Sequence, residues 1–173
     1  VSAARMTAAL RDLALRHAPH AVATVGQFDV IPNSRNTIPG EVRFSVDIRH
    51  PEPEVLKAMD DALRGEFAAI CAAEGTTVTI EQIWDKPPVV FDSQCVDAVQ
   101  AATEQLGYPN QRIVSGAGHD ACQVCEVAPV GMIFVPCEDG ISHNEAESAA
   151  PLDLEKGANV LLHAMLRMAN AAS

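Results

Sequence analysis

Basic residues are scarce in this chain. Twelve Lys and Arg stand against 23 Asp and Glu, which leaves 173 residues with a formal net charge of −11. Binding to nucleic acid draws on clustered cations, so that class of partner is excluded. An anionic membrane surface is disfavoured on the same ground. Long apolar runs are lacking too. The most apolar stretch, VAPVGMIFVPC at 127–137, is interrupted by Pro129, Gly131 and Pro136 and is too short to span a bilayer. Nor does the start of the chain read as a secretory leader. The cysteines do not form an even set: Cys71, Cys95, Cys122, Cys125 and Cys137 lie within apolar patterns and read as reduced thiols of a cytoplasmic protein. There is no internal repeat, no low-complexity tract and no initiator Met. The opening VSAARMTAALRDLALRHA has its helical pattern already running, which reads as a piece of something longer.

What is present is an ordinary globular composition, 48% hydrophobic and 20% charged, in a chain long enough to bury a core in one domain or two small ones. Residues 3–17 predict an amphipathic helix with Met6, Leu10, Leu13 and Ala14 on one side. ATVGQFDVI (23–31) predicts a strand, and PNSRNTIPG (32–40) a turn-rich connection. EVRFSVDIR (41–49) alternates cleanly: Val42, Phe44, Val46 and Ile48 point one way, and Glu41, Arg43, Ser45, Asp47 and Arg49 the other. Residues 51–75 predict a helix with acids in its first turn, Gly75 as its stop and a stripe of Leu56, Met59, Leu63, Phe67 and Ile70. TTVTIEQIW (76–84) predicts a further strand. The order helix–strand–strand–helix–strand is that of a ferredoxin-like βαββαβ sandwich lacking its first strand.

DKPPVVFD (85–92) reads as a linker, so the boundary falls between residues 1–85 and 86–173. Beyond it, residues 93–107 predict a helix capped by Ser93, VGMIFVPC (130–137) a strand buried on both faces, and residues 151–169 a final helix. This alternation is that of a segment of a larger α/β sheet.

Three loops hold the candidate chemistry. GISHNEAE (140–147) follows the 130–137 strand, at the position where ligands bind in open α/β sheets. In it His143 sits among Glu138, Asp139, Glu145 and Glu147, an imidazole among carboxylates that suits a divalent metal, although a lone His in a polar loop is more often simply exposed. SGAGHD (115–120) offers backbone N–H groups ahead of a short helix, suited to an anion or oxyanion, against the plainer reading of a loop capped by Asp120. Arg49 and Asn36 form a sensible carboxylate clamp, against the alternative of an Arg paired with Asp47 or Glu52. A zinc site drawn from Cys122, Cys125, His119 and Cys137 is disfavoured, because no second CxxC exists and small thiols fit well in an apolar stretch. His17, His20, His50 and His163 read as exposed or capping.

Together NTIPGEVRFSVDIRH, SGAGHDA and GISHNEAE resemble three signatures of the zinc-dependent amidohydrolases that comprise N-carbamoyl-L-amino acid hydrolases, allantoate amidohydrolases and β-ureidopropionases, within the aminoacylase-type, paired-zinc metallopeptidase superfamily. The resemblance spans nearly the whole chain, in the expected order. It implies that residues 1–85 are most of a lid domain that also forms a homodimer, and that 86–173 are the C-terminal part of the α/β zinc-hydrolase catalytic domain. It implies His143 as a zinc ligand, and Asn36 and Arg49 as binders of the substrate carboxylate, with Gln27 assisting. Gly116, Gly118 and His119 would line the pocket beside the scissile carbamoyl group. Two zinc ions per subunit are implied, with manganese, cobalt or nickel as substitutes. The remaining ligands, an HxD element and a Glu pair with the general base, have no counterpart in these residues. The expectation is therefore a fragment holding little or no metal, with no catalytic residue of its own and inactive alone. A two-zinc hydrolase needs both ions and a base.

Overall fold

Helix α1 (Ser2–Arg16) and helix α2 (Pro53–Glu74) lay their apolar stripes against each other, and a β-hairpin packs beside them. The computed structural model describes residues 1–171 and divides into two compact units, Val1–Pro88 and the part from Val89 onward.

In the first unit Met6, Leu10 and Leu13 of α1 meet Met59, Leu63, Phe67 and Cys71 of α2 in one buried cluster. The three- and four-residue spacings put each set on one helical face, as the sequence pattern predicts. Leu56 and Ile70 end half-buried at the edge of that stripe, and Cys71 takes the fourth buried position instead. Burying each large side chain contributes roughly 1.5–3 kcal/mol. Ion pairs Arg5–Glu74 (2.6 Å) and Arg16–Glu66 link the same two helices at their exposed rim. Pro53 opens α2, and Gly75 closes it at φ 64°, a left-handed conformation that glycine adopts without a Cβ penalty.

The hairpin is broken by a bulge. Strands β1 (Val22–Thr24) and β4 (Asp47–Arg49) pair antiparallel, with Thr24 opposite Asp47. Strands β2 (Phe28–Ile31) and β3 (Glu41–Phe44) do likewise, with Phe28 opposite Phe44. Residues 25–27 therefore face only residues 45 and 46, one more on the first side than on the second. Ser45 fastens this step. Its Oγ accepts the Gln27 N–H (3.0 Å) and its own N–H donates to the Gln27 carbonyl (3.2 Å). Because the extra residue shifts the alternation, Ala23 and Val25 contact the core while Phe28 stacks on Phe44 (centroids 5.7 Å apart).

Residues 76–84, expected as a strand, form no ladder; Ile83 and Trp84 are exposed, and Val78 reaches the core. A β-rich stretch cannot satisfy its backbone alone, since the hydrogen bonds of a strand lie on a neighbour. The unit is thus a mixed one of helices and a small sheet.

In the second unit α3 (Ser93–Gln105) packs on α5 (Pro151–Ala171) through Ala102, Val160 and Ala164, with Val99, Leu106, Tyr108 and Ile133 around them. Asp92, rather than Ser93, caps α3: its carboxylate accepts the Cys95 N–H at 3.0 Å. Two glycines permit close approach. A Cβ on Gly131 would stand 3.1 Å from the Cys95 Cβ, and one on Gly157 only 2.7 Å from Val135 Cγ1. Residues 130–137, expected as a doubly covered strand, form no ladder and are half-buried with Phe134 and Pro136 exposed, although the Val130 carbonyl accepts the Asp92 N–H at 3.1 Å; the neighbours such a strand requires are not among the described residues. No helix of the described residues is long and apolar enough to cross a membrane.

Candidate functional site

Arg49 closes β4 with its side chain on the same side of the strand as that of Asp47 two residues earlier. The guanidinium forks onto that carboxylate, Nε to Oδ1 at 2.9 Å and Nη2 to Oδ2 at 2.6 Å. The hydrogen bonds from Arg49 hold the Asp47 carboxyl below its ordinary range, and reciprocally raise the Arg49 guanidinium. This is the pairing weighed above as the plain alternative to a substrate clamp. A bidentate fork of this kind is also the geometry that recognises a free carboxylate.

Asn36 lies in the exposed connection 32–40 between β2 and β3, where Ser34 Oγ donates to its Oδ1 at 3.0 Å. Gln27 sits in the bulge, with its backbone fastened to Ser45 and its residue exposed. These three belong to the first unit.

The remaining candidates belong to the second. In SGAGHD the glycines are exposed, and a Cβ on Gly118 would meet nothing within 4 Å. The helix after them, α4 (Ala121–Val124), is a single turn, and Asp120 makes no side-chain cap bond. Neither the oxyanion reading nor the Asp120-cap reading thus gains support from helix geometry. His119 is half-buried. Its Nε2 lies 2.6 Å from Ser115 Oγ, and its ring stands edge-on to Phe134 at 5.6 Å between centroids. The Ser115 hydroxyl oxygen also accepts the Ala117 N–H at 3.2 Å. Ser115 is the residue that sequence reasoning missed. The signal was available in the four-residue spacing of SGAGH, tight enough for a side chain to fold back on the ring.

His143 stands in a loop that closes on itself. The Glu138 N–H donates to the Ser148 carbonyl at 2.7 Å at its base, and Asn144 Oδ1 accepts the Ala146 N–H at 2.9 Å. Glu147 engages the His143 main chain. Its Oε2 accepts the His143 backbone N–H at 2.8 Å and so supports the left-handed φ of 56° at His143. The ring is exposed.

Among the described residues no three His, Cys, Asp or Glu side chains converge to hold an ion, neither around His143 nor in the set drawn from Cys122, Cys125, His119 and Cys137. These residues therefore do not fit a paired-zinc centre by themselves. Nor is there a reactive thiolate at Cys95, where burial and then the Asp92 charge push the thiol upward. The apolar groove beside it, lined by Cys95, Val99, Gly131, Ala164, Met165 and Met168, offers no convergent polar groups.

Comparison with known proteins places these residues in context. The profile of Peptidase family M20/M25/M40 matches residues 4–167. An N-carbamoyl-L-amino-acid amidohydrolase of Rhizobium meliloti is 44% identical over 166 residues, covering 96% of this chain and 40% of its own length. An allantoate amidohydrolase of Bacillus subtilis is 33% identical over 146 residues, 84% of this chain and 35% of its own. Among solved structures, an amidase of the hydantoinase/carbamoylase family from Burkholderia multivorans superposes with a TM-score of 0.88 at 55% identity, over 96% of this chain and 40% of that one. The chain thus spans about 40% of the length of the relatives it matches.

Proposed function

The chain belongs to Peptidase family M20/M25/M40, and from that premise we propose that it forms part of an amidohydrolase cleaving the carbamoyl group of N-carbamoyl-L-amino acids. In this reading residues 1–85 are a ferredoxin-like lid that also mediates a homodimer, and residues 86–173 are the C-terminal portion of the catalytic domain. The enzyme works in the cytoplasm. The reading rests above all on the Rhizobium meliloti relative, whose name states that substrate class and which is 44% identical over an alignment covering 96% of this chain.

Each candidate residue then has a task. Arg49 takes the substrate carboxylate in a two-pronged contact, exchanging the Asp47 carboxylate for that of the ligand, and Asn36 and Gln27 hold neighbouring polar groups. Lid closure brings these groups in and fixes the amino-acid end of the substrate, which converts binding into positioning. Gly116 and Gly118 let the substrate approach the backbone closely, and His119 flanks the scissile group. Water adds to the carbamoyl carbon, and the C–N bond to the amino acid breaks. The carbamic acid released decomposes to ammonia and carbon dioxide. His143 is the single donor this chain contributes to the two-zinc centre (manganese, cobalt or nickel being possible substitutes), while the other donors and the general base lie in the part of the relatives that this chain does not match. As an isolated polypeptide it is inactive and holds little or no metal.

The test uses the polypeptide of full family length, reconstituted with zinc. N-carbamoyl amino acids are hydrolysed, and His143→Ala abolishes turnover. Undiminished turnover in that variant would refute the assignment. The allantoate amidohydrolase of Bacillus subtilis supports a second reading in which the ureido acid is allantoate, and parallel assays on allantoate and β-ureidopropionate distinguish the substrates. Inertness toward all three would leave a metal-free binding or dimerisation module as the remaining class.

A further inference from the structure

Ser115 has no role in the reading above, yet it makes the shortest contact to His119. Its oxygen already accepts the Ala117 N–H at 3.2 Å, a contact that holds the serine in place within its own loop. The hydroxyl can donate its proton to the ring nitrogen 2.6 Å away, the direction of that bond being set by the ring's tautomer. When it donates, a chain runs from backbone N–H to hydroxyl oxygen to imidazole, in which each bond polarises the next. An acceptor role at Nε2 puts the ring proton on Nδ1. The edge-on contact with Phe134 restricts the ring further.

From this geometry we infer that Ser115 is a positioning residue for His119, locking the imidazole as the Nδ1–H tautomer so that Nδ1 is its hydrogen-bond donor. This rests on the reading that His119 flanks the scissile carbamoyl group. There, a fixed donor is matched to an oxygen that gains charge as water adds to the carbonyl. Ser115 does not act as a nucleophile in this scheme. Among the described residues no carboxylate is hydrogen-bonded to the imidazole as a triad requires.

Two measurements test it. Long-range proton–nitrogen correlation spectra of the ¹⁵N-labelled chain, recorded where imidazoles are neutral, report the tautomer directly. The wild type shows His119 mainly as Nδ1–H. Ser115→Ala shifts it toward the Nε2–H form that free histidine prefers, and Ser115→Thr, which keeps the hydroxyl, restores the wild-type pattern. An unchanged His119 signal in Ser115→Ala would overturn the inference. In the zinc-reconstituted polypeptide of full family length, Ser115→Ala lowers kcat by roughly tenfold to a hundredfold, with KM moved less, and Ser115→Thr recovers most of the loss. Equal kcat in wild type and Ser115→Ala would also overturn it. The two arms separate the failures: a wild-type enzyme that hydrolyses no ureido acid removes the functional reading, while the tautomer spectra still decide the serine–histidine coupling.

Discussion

Six large side chains and Cys71 close the core of the first unit, whereas the buried cluster of the second has three members, two of them alanines. The contrast continues at the surface. Helix α5 leaves Leu152, Leu154, Leu161, Leu162, Met165 and Leu166 each more than half exposed, while the stripes of α1 and α2 are buried among their own partners. The stripes of α1 and α2 are therefore satisfied within the first unit, although Ile83 and Trp84 of that unit stay exposed, while the face of α5 is covered only in part. The loops bearing His119 and His143 are in the second, and Asn36, Arg49 and Gln27 are in the first, so the candidate residues divide between a unit with the larger buried cluster and one with the smaller.

The sharpest attempt to break this contrast is a pair of truncations. Leu13→Ala, at 1% exposure in the first unit, should destabilise by about 2–5 kcal/mol. Leu162→Ala, at 54% exposure in the second, should change stability by about 0.5 kcal/mol or less. Urea unfolding of both variants decides, and comparable losses would show that α5 is better covered than it looks.

A pair of glycines comes next. Gly157→Ala pushes a methyl to 2.7 Å from Val135, a β-branched side chain with little freedom to yield, so overpacking of about 1–3 kcal/mol should outweigh the helix propensity gained. Gly65→Ala in α2 meets nothing within 4 Å and should stabilise by roughly 0.5–1 kcal/mol. Opposite signs in thermal unfolding are the expected outcome.

Smaller is the difference between helix starts. Asp92→Ala removes the cap of α3 at a cost of about 1 kcal/mol, whereas Glu52→Ala ahead of α2, where no side-chain cap exists, should cost almost nothing. Calorimetry of the two variants compares them directly.

Least of all is the acid dependence of the Asp47–Arg49 pair. The folded-state carboxyl lies below its ordinary value, so its contribution is present above the unfolded value and is lost as pH falls through the folded one. Both side chains are more than a third exposed, so after solvent screening the contribution is roughly 0.2–1 kcal/mol. Asp47→Asn should flatten that part of the stability profile between neutral and strongly acid solution.

The helices were legible in the sequence because a helix carries its hydrogen bonds within itself. Met6, Leu10 and Leu13 announce their face by spacing alone, and α1, α2, α3 and α5 fall within two residues of their expected bounds. Strands were legible only where both partners are present. Of the single strand expected over 41–49, residues 41–44 and 47–49 pair as two strands with Ser45 and Val46 between them, but residues 76–84 and 130–137, equally β-rich, form no ladder. The bulge was hidden, since no single strand records how many residues face it. At the candidate site, residue types could be read but not their partners. Arg49 shows a fork made for carboxylates without showing that Asp47 fills it, and nothing in SHNE tells that Glu147 supports the His143 backbone instead of its ring.

The step fastened by Ser45 makes the gene tolerant in an unusual place. Loss of one in-frame codon for Val25, Gly26 or Gln27 would leave two residues facing two, so the ladders could join as one regular ribbon with Phe28 still opposite Phe44. The same three-nucleotide loss inside β2 or β3 would instead turn the side chains beyond it to the other face.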